Sequence, residues 1–455
     1  MQILVKLASH LIVKLEPKDK ENYRTARQYR TITVRPMTES GLKKIKSWMK
    51  NLKLSEVLSE PCTSKKAEIL QNMVLDQVNN FLPTKTKKIA DDDKPWFTDH
   101  LKILDKKKKR EFRKNRRSPK YYLLSKSFNK EVSKAKKAFK KSMITDTMSS
   151  SSHQWYSRFK RMTNFEQYKT EMPQVDEINQ LSPKAQAERI AESFAKISNE
   201  YDPIDRSRIK ISLIESNSYP KFSEQQIFDK LRRINIRKAT APGDIPPKVI
   251  KECSKYLSIP LCNIVNNSIT NGNWPNIYKT EAITPIPKQY PTTEIEMLRP
   301  ISILFTFDKI MESLIGELII KDMSITSDPA QYGNRKKIGI NHYLLEYMHK
   351  VLQGVDRNSN EEKHAVLSLF IDWKQAFSRL SHTLGVQSFI DNGVRASLIP
   401  ILTSYFEERK MFVRWQVDHS ELIHLPGSGA MGTTLGILEY TSQTNNIADC
   451  IQVED

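Results

Sequence analysis

The stretch AVLSLFID at positions 365–372 decides the fold of this chain. Its first seven residues are nearly all apolar, which is typical of a β-strand buried on both faces, although so short a run is also compatible with a helix. A carboxylate at the end of a buried strand can hold Mg²⁺ in enzymes that transfer phosphoryl groups, but an Asp is also a common turn residue there. The stretch therefore predicts a central strand over 365–371 and makes Asp372 a candidate metal ligand.

The segments around this strand predict an α/β (α+β) fold. A helix is expected to follow it, with Ser381 as the N-cap and Asn392-Gly393 at the end. Ser223 and Gln226 have the spacing of a capping box, which predicts a short amphipathic helix. The other expected elements are an extended segment at 282–287, a helix at 307–320, a hairpin of 411–415 with 421–425, and a helix at 434–445. Together they predict helices packed on a small, mostly antiparallel sheet.

Length and composition exclude several classes of protein. The chain has 455 residues, enough for two or three domains with a buried core. Apolar residues make up 38% and the mean hydropathy is −0.55, which excludes a fully disordered chain and a bundle of membrane helices. The four cysteines are scattered without a CxxC pair, and no signal peptide is recognised. We therefore expect a reducing compartment and an intracellular location, nuclear or cytoplasmic.

Positive charge is concentrated in one segment. The net charge of the chain is +21, and positions 102–141 hold eighteen basic residues and three acids, a local net charge of +15. This density favours a polyanion, nucleic acid first of all, although two solvated helices without a ligand have the same pattern. The residues predicted to contact nucleic acid are Lys106, Lys107, Lys108, Lys109, Arg110, Arg113, Lys114, Arg116 and Arg117.

The basic segment is predicted to be helical. Thr98 is a suitable N-cap, and Ser118-Pro119 reads as an N-cap followed by proline at the first helical position, so two helices should meet at Ser118. The apolar residues of the second helix recur at helical spacing at Phe128, Val132, Ala135, Phe139 and Met143. Such a stripe usually packs on a neighbouring element.

Five segments, in order along the chain, resemble one family. FIDWKQAF (370–377) with LSH (380–382) resembles the first catalytic motif of the reverse transcriptases of non-LTR retrotransposons. The other similar segments are KATAPGDIP (238–246), ITPIPK (283–288) with LRPIS (298–302), Asp328 with QYG (331–333) and Arg335, and GAMGTTLG (429–436) with Leu438. The matches cover about half of the chain, and their shared order is far more specific than any one of them.

The resemblance implies a fold and a set of roles. The fold would be the fingers and part of the palm of a right-hand polymerase that copies an RNA template from a DNA primer using dNTPs and Mg²⁺. Asp372 would bind magnesium together with the Trp373 carbonyl, and Phe377 would lie under the sugar as a gate against the 2′-hydroxyl. Lys288 and Arg299 would hold the triphosphate. Alternatives remain for two of them: a salt bridge for Arg299 and core packing for Phe377.

The chain departs from the family pattern in two ways. Met431 stands where the family usually has Gln before the central glycine of its glycine-rich motif. The second catalytic motif, a pair of aspartates on a hairpin, is expected after the 434–445 helix and is absent, as is the thumb. A two-metal site needs several carboxylates. We therefore expect a truncated fragment that is inactive as this chain, or alternatively a non-catalytic nucleic-acid-binding protein derived from a retroelement.

Two segments resemble the sequence motifs of other functional sites. Asp91, Asp92 and Asp93 contain paired aspartates but lie before the first motif, and are interpreted as an acidic turn. GSGAMG (427–432), with Glu454, matches a dinucleotide-binding fingerprint, which would need strands that the chain lacks. The sequence divides into an N-terminal linker remnant (1–97), a basic helical region (98–148), a connector (149–215) and a truncated reverse transcriptase segment with fingers and partial palm (216–455).

Overall fold

The computed structural model describes residues 3–6, 12–15, 29–90, 94, 96–148, 174–209, 218–289, 291–335, 337–356 and 365–445. The elements of the first part are β1 (Ile3–Lys6), β2 (Ile12–Leu15), β3 (Tyr29–Val34), α1 (Glu39–Lys50), α2 (Ser55–Ser59), α3 (Thr63–Phe81), β4 (Lys85–Ala90), α4 (Asp99–Asn115), α5 (Pro119–Met148) and α6 (Pro183–Ser198). Those of the second part are α7 (Glu224–Arg232), α8 (Pro247–Glu252), α9 (Ser254–Asn271), β5 (Thr280–Pro287), β6 (Leu298–Ile303), α10 (Thr306–Met323), α11 (Ile340–Val355), α12 (His382–Asp391), α13 (Ile399–Phe406), β7 (Lys410–Trp415), β8 (Asp418–His419), β9 (Ile423–His424) and α14 (Thr434–Thr444). The fold is thus a mixture of helices and small sheets.

The chain divides into two compact units. The first contains residues 1–36 and 84–170, and the second contains residues 37–83 and 171–455. The predicted acidic turn at 91–93 and Glu454 lie outside the described residues. No helix of the described part is both long and apolar enough to cross a bilayer.

The first unit is built from two small sheets and a helical hairpin. β1 pairs with β2, and β3 pairs with β4, both antiparallel. Thr98 caps α4 by accepting from the Leu101 amide, and the Ser118 hydroxyl accepts from the Tyr121 amide at the start of α5. The predicted stripe of α5 is half-buried, with the ring of Phe128 against Phe97 at 6.3 Å. Both predicted helices and their meeting point at Ser118 are therefore confirmed.

The second unit contains a five-stranded sheet in the order β6-β5-β7-β8, with β9 paired to β7. β5 is antiparallel to β6 and parallel to β7, while β8 and β9 are antiparallel to β7. The predicted hairpin of 411–415 with 421–425 is present as β7 and β9. Ser223 and Gln226 form the predicted capping box, and Ser381 caps α12. These local predictions are confirmed.

The predicted strand at 365–371 is wrong for this structure. The segment is irregular, and Leu367, Leu369 and Phe370 are 98%, 82% and 71% exposed. A strand that is apolar on both faces needs neighbours at its edges and cover on its faces. α11 lies beside the segment, where the Tyr347 hydroxyl is 2.8 Å from the Ser368 hydroxyl and the Tyr347 ring is 5.8 Å from that of Phe370. Without strand partners the apolar run does not become a strand, so Asp372 does not end one.

The units also differ from the division made on the sequence. Residues 37–83, assigned to the linker remnant, pack in the second unit, where the Lys66 ammonium donates to Asn263 Oδ1 at 2.7 Å. The connector 149–215 contains α6, whose Gln186 accepts from Trp415 Nε1 of β7 at 2.7 Å. The reason is amphipathicity: α6 buries Ala187 and Ile190 against the sheet.

Candidate functional site

A cavity of about 590 Å³ in the second unit holds four of the sequence-predicted site residues. It is bounded by α6, by the end of the β5–β6 pair, by the segment 372–379 and by Met431. Lys288, Arg299, Asp372 and Trp373 all line it, although they come from three separate parts of the chain. The structure therefore brings these four residues together at one cavity.

The β5–β6 pair positions the two cations. Ile286 faces Arg299 in the antiparallel register, so Lys288 just beyond β5 comes close to the start of β6. The Lys288 amide donates to the Met297 carbonyl at 2.8 Å, and its ammonium donates to the Glu296 carbonyl at 2.8 Å. Arg299 is exposed and makes no ion pair with the described residues, so the alternative of a salt bridge is not supported.

Phe377 is not part of the lining. Its ring stacks on Tyr440 of α14, with centroids 5.0 Å apart and an interplanar angle of 27°. Its carbonyl accepts from the Gly429 amide at 2.7 Å, and the Leu380 carbonyl accepts from the Ser428 amide at 2.8 Å. Packing, the alternative for Phe377, describes this position, and the segment after Asp372 is thereby fastened to the glycine-rich loop.

The glycine-rich loop brings Met431 to the cavity. The Met431 carbonyl accepts from the Ser302 amide of β6 at 2.9 Å, and Gly432 follows with φ +94°, a conformation that favours glycine. A Cβ on Gly436 would collide with the Ala430 carbonyl oxygen. This loop therefore needs its glycines to turn closely back onto α14, and Met431 of the loop lines the cavity.

Sequence reasoning missed several residues of the cavity. Lys196 of α6, Lys374 and Arg379 add three cations, and Glu200 and Glu296 add two acids. Arg379 is paired with Glu200 at 2.9 Å. The charges of Lys374 and Arg379 are visible beside Asp372 in the sequence, but nothing in the sequence places α6 against this site. With five bases and three acids in its lining, the cavity favours an anion.

The described residues do not fit a magnesium site. Asp372 is an exposed carboxylate, Glu200 is already paired with Arg379, and no group of three or more acidic, His or Cys side chains in the described ranges could hold a metal ion. Catalytic Mg²⁺ in such sites is held by several carboxylates and by substrate phosphates. The carboxylate predicted as a metal ligand thus lies at the cavity, but the acids of the lining do not form a cluster of three possible metal ligands among the described residues.

A network of buried charged groups is linked to the helix that follows the glycine-rich loop. Arg409 Nε donates to Glu281 Oε1 at 2.9 Å, and the Tyr405 hydroxyl donates to Glu312 at 2.6 Å. Burial raises the pKa of Glu312 to about 7, even though Tyr405 and the amide of Thr434 donate to it. Glu312 therefore holds the start of α14 in place, directly after the glycine-rich loop.

His382 fixes the other side of the same loop. Its Nε2 donates to the Ser428 carbonyl at 3.1 Å, and its ring packs on Phe406. Burial lowers the pKa of His382 to about 4, so the imidazole is neutral near pH 7. Glu439 is fully buried as well, and burial raises the pKa of its carboxyl well above the usual range.

The basic helical region of the first unit presents its charge to solvent. Eight of the nine residues predicted to contact nucleic acid are exposed. Lys108 is the exception, because its ammonium lies 3.9 Å from the centre of the Phe128 ring and pairs with Asp105 at 3.2 Å. Lys136 lies over the Trp96 ring at 4.9 Å. The other eight charged side chains are thus open to solvent.

Two curated proteins of Drosophila melanogaster are similar to this chain over 220 residues, 48% of its length. A probable RNA-directed DNA polymerase from transposon X-element is 27% identical, and the RNA-directed DNA polymerase from mobile element jockey is 24% identical. The chain covers 24% and 23% of these relatives, about a quarter of their length. No protein-family model matches the chain. The resemblance to non-LTR retrotransposon reverse transcriptases is confirmed by these relatives.

Proposed function

We propose that the chain is part of a retroelement RNA-directed DNA polymerase and that its cavity binds the triphosphate of the incoming dNTP beside the RNA template and DNA primer. The observation that carries this proposal is the position of Lys288 and Arg299 at one cavity with Asp372 and Trp373, which follow more than seventy residues later. The similarity to polymerases named as RNA-directed supports the choice of substrate.

The chemistry of the two cations suits a triphosphate. Lys288 is a compact charge on a flexible stem, whereas Arg299 offers a planar fork that can bind two phosphate oxygens at once. Both are exposed and neither forms an ion pair with a described residue. A bound triphosphate would therefore gain charge-assisted hydrogen bonds without first breaking a salt bridge.

Nucleotidyl transfer needs more carboxylates than the described residues bring to the cavity. Asp372 alone cannot neutralise and position two metal ions. We therefore propose that this chain binds nucleotide, and that transfer requires acidic residues beyond those at the described cavity. In the complete reaction, the primer 3′-hydroxyl would attack the dNTP α-phosphorus and release pyrophosphate.

Nucleotide binding is tested by calorimetry with dTTP at low ionic strength. Replacing Lys288 or Arg299 with Ala should weaken binding by about tenfold each, since each removes a charge-assisted hydrogen bond worth about 1.5 kcal/mol or more. Lys321→Ala and Arg414→Ala are the matched controls, because both are exposed and lie outside the cavity. Equal losses in controls and cavity variants would contradict the proposal.

A second candidate function is nucleic-acid binding without catalysis. It is favoured by the exposed charges of α4 and of the turn before α5, which do not depend on a metal site. The two functions are compatible in one protein. They differ in what they predict for the cavity: a polymerase should bind dNTP there, whereas a protein that only binds nucleic acid need not.

A further inference from the structure

A second cavity, of about 310 Å³, lies in the same unit but shares no residue with the first. We call it the Lys309 cavity. It is formed by the end of α7, the loop 233–240, and the first turns of α8 and α10. Its lining is mainly apolar and includes Ile234, Ala239, Pro247 and Ile310. Its volume is at the lower end of the range for small-ligand sites.

Every ionisable side chain that lines the Lys309 cavity is a cation. Lys230, Arg233, Lys238 and Lys309 supply four positive charges and no acid balances them within the lining. Lys230 is paired with Glu317 at 2.6 Å, outside the lining. Among the described residues, Arg233, Lys238 and Lys309 form no ion pair. Three cations thus converge on one concave surface without a direct counter-ion.

Lys309 is the most constrained of these cations. Its ammonium donates to the Ala239 carbonyl at 3.0 Å. Burial lowers the pKa of Lys309, and Lys238 acts in the same direction, while Asp244 opposes both. Asp244 itself accepts from the amide and the hydroxyl of Thr306, at 2.9 and 2.6 Å. An anion entering the cavity would stabilise the charged ammonium, because it would replace missing hydration with an opposite charge.

We propose that the Lys309 cavity binds phosphate groups of a single-stranded nucleic acid. A groove lined by several cations, which follows the phosphate backbone, is a general requirement for holding a single strand. Arg233 offers a fork and the lysines offer point charges to phosphate oxygens. The proposal goes beyond the dNTP site, because it uses none of its residues.

Chemical footprinting tests the proposal on the whole chain. Lysine acetylation is followed by mass spectrometry with and without the octanucleotide rU₈. The strand should slow acetylation of Lys238 and Lys309 at least threefold. Lys251 and Lys255 are the internal controls, since both are exposed on neighbouring helices outside the cavity. Unchanged rates at Lys238 and Lys309, or equal protection by inorganic phosphate at the same phosphate concentration, would overturn the proposal.

A variant pair provides an independent measurement. Arg233→Gln with Lys238→Gln is compared with Lys251→Gln with Lys255→Gln, both in a chain that already carries Ala at Lys106, Lys107, Lys108 and Lys109. The cavity pair should lower the slope of log K against log salt for rU₈ by about 1.4, or about 0.7 for each phosphate that the protein no longer neutralises. An equal change in the control pair would overturn the proposal. Circular dichroism checks that each variant folds.

The two proposals fail separately. Loss of dTTP binding in Lys288→Ala reports on the first cavity and leaves the Lys309 cavity untouched. If rU₈ does not protect Lys309 from acetylation while dTTP still binds normally, the single-strand site at the Lys309 cavity is rejected and the dNTP site at the first cavity is retained.

Discussion

Protonation of His382 should make the free energy of unfolding depend on pH. Its pKa is lowered by burial from 6.5 to about 4, so on acidification the unfolded chain takes up this proton before the folded chain does. The folded state should therefore lose stability as the pH falls from about 6.5 to 4, by up to about 3 kcal/mol from this residue. His382→Gln keeps a donor for the Ser428 carbonyl and removes the titration.

Urea unfolding at pH 7, 6 and 5 measures this effect as the difference between His382→Gln and the parent chain. The variant should lose less stability between pH 7 and 5. Asp244 and Glu312 act in the opposite direction, because burial raises the pKa of Asp244 to about 6 and that of Glu312 to about 7. Both are present in each protein and cancel in the difference. His424→Gln, at an exposed position, is the control for a His-to-Gln substitution as such.

Met431 is the residue at which the cavity departs from the family pattern. Because it lines the cavity, an amide in its place could donate to the bound nucleotide. Met431→Gln should strengthen dTTP binding by up to about tenfold, which corresponds to the usual 0.5–1.5 kcal/mol of a hydrogen bond. Met431→Leu, which conserves volume, should leave the affinity unchanged. Weaker binding with Gln than with Leu would show that this side chain does not face the nucleotide.

Residue-level predictions succeeded where the cause is local. Ser223, Ser381 and Thr98 cap helices because each side chain reaches an amide three residues on, a geometry that the sequence spacing already contains. Lys196 could not be predicted as a cavity residue, because its place depends on how α6 packs on the sheet. The same limit explains Phe377, whose neighbour Tyr440 lies more than sixty residues away.

At the scale of elements, the apolar segment 365–371 makes a testable contrast with β5. The segment has no strand partner among the described residues, whereas β5 is paired on both edges. Hydrogen exchange followed by mass spectrometry should therefore show near-intrinsic rates for 366–371 and rates lower by on the order of a hundredfold or more for β5. Equal protection of the two segments would show that the strand forms in solution after all.

The contrast also shows what the sequence could predict about this element. The apolar run predicts a buried segment, yet its residues are mostly exposed in the structure, because the pattern does not say which strands would pair with it. α11 has the same character, because Leu345, Met348 and Leu352 are about half or more exposed and no residue of the helix is buried. Both elements keep apolar surface that the described residues leave uncovered.

The basic helical region predicts a salt-dependent interaction. The whole chain should bind single-stranded RNA with log K falling against log salt, at a slope of about −0.7 per phosphate neutralised. Replacing Lys106, Lys107, Lys108 and Lys109 with Ala should reduce this slope and weaken all sequences alike, since phosphate contacts carry no base information. Alanine at the exposed residues Lys43, Lys44, Lys50 and Lys53 makes the same charge change in the second unit. A slope that responds equally to both sets would refute a specific role for α4.

At the scale of the molecule, the boundaries on the sequence follow composition, whereas the compact units follow packing. Residues 37–83 differ little in composition from their neighbours, yet α1 and α3 bury Ile45, Leu70 and Val74 in the core of the second unit. Charge density identified the basic helices, because solvated charge leaves a local signature. Packing between distant segments leaves no such local signature. The sequence therefore could not assign α1, α3 and α6 to the second unit.

Catalysis is a property of the whole assembly of carboxylates around the cavity, and a chimera tests it. The chain alone should give no primer extension on a homopolymer RNA template with Mg²⁺ or Mn²⁺, since Asp372 has no set of acidic partners among the described residues. A chimera in which residues 1–445 are followed by the part of the X-element relative that lies after its matched region should extend the primer. Asp372→Asn should then abolish extension, and Asp391→Asn, at an exposed position on α12, should not.

Each outcome of that experiment separates the two candidate functions. Extension by the chain alone would place the catalytic carboxylates elsewhere, because one exposed aspartate leaves the metal ions hydrated and the 3′-oxygen unaligned. A folded chimera that binds dTTP but never extends, even with Met431→Gln, would favour a nucleic-acid-binding protein that retains the cavity as scaffold. Extension that depends on Asp372 in the chimera would mean that this residue completes the site once further carboxylates surround it, although here it ends no strand.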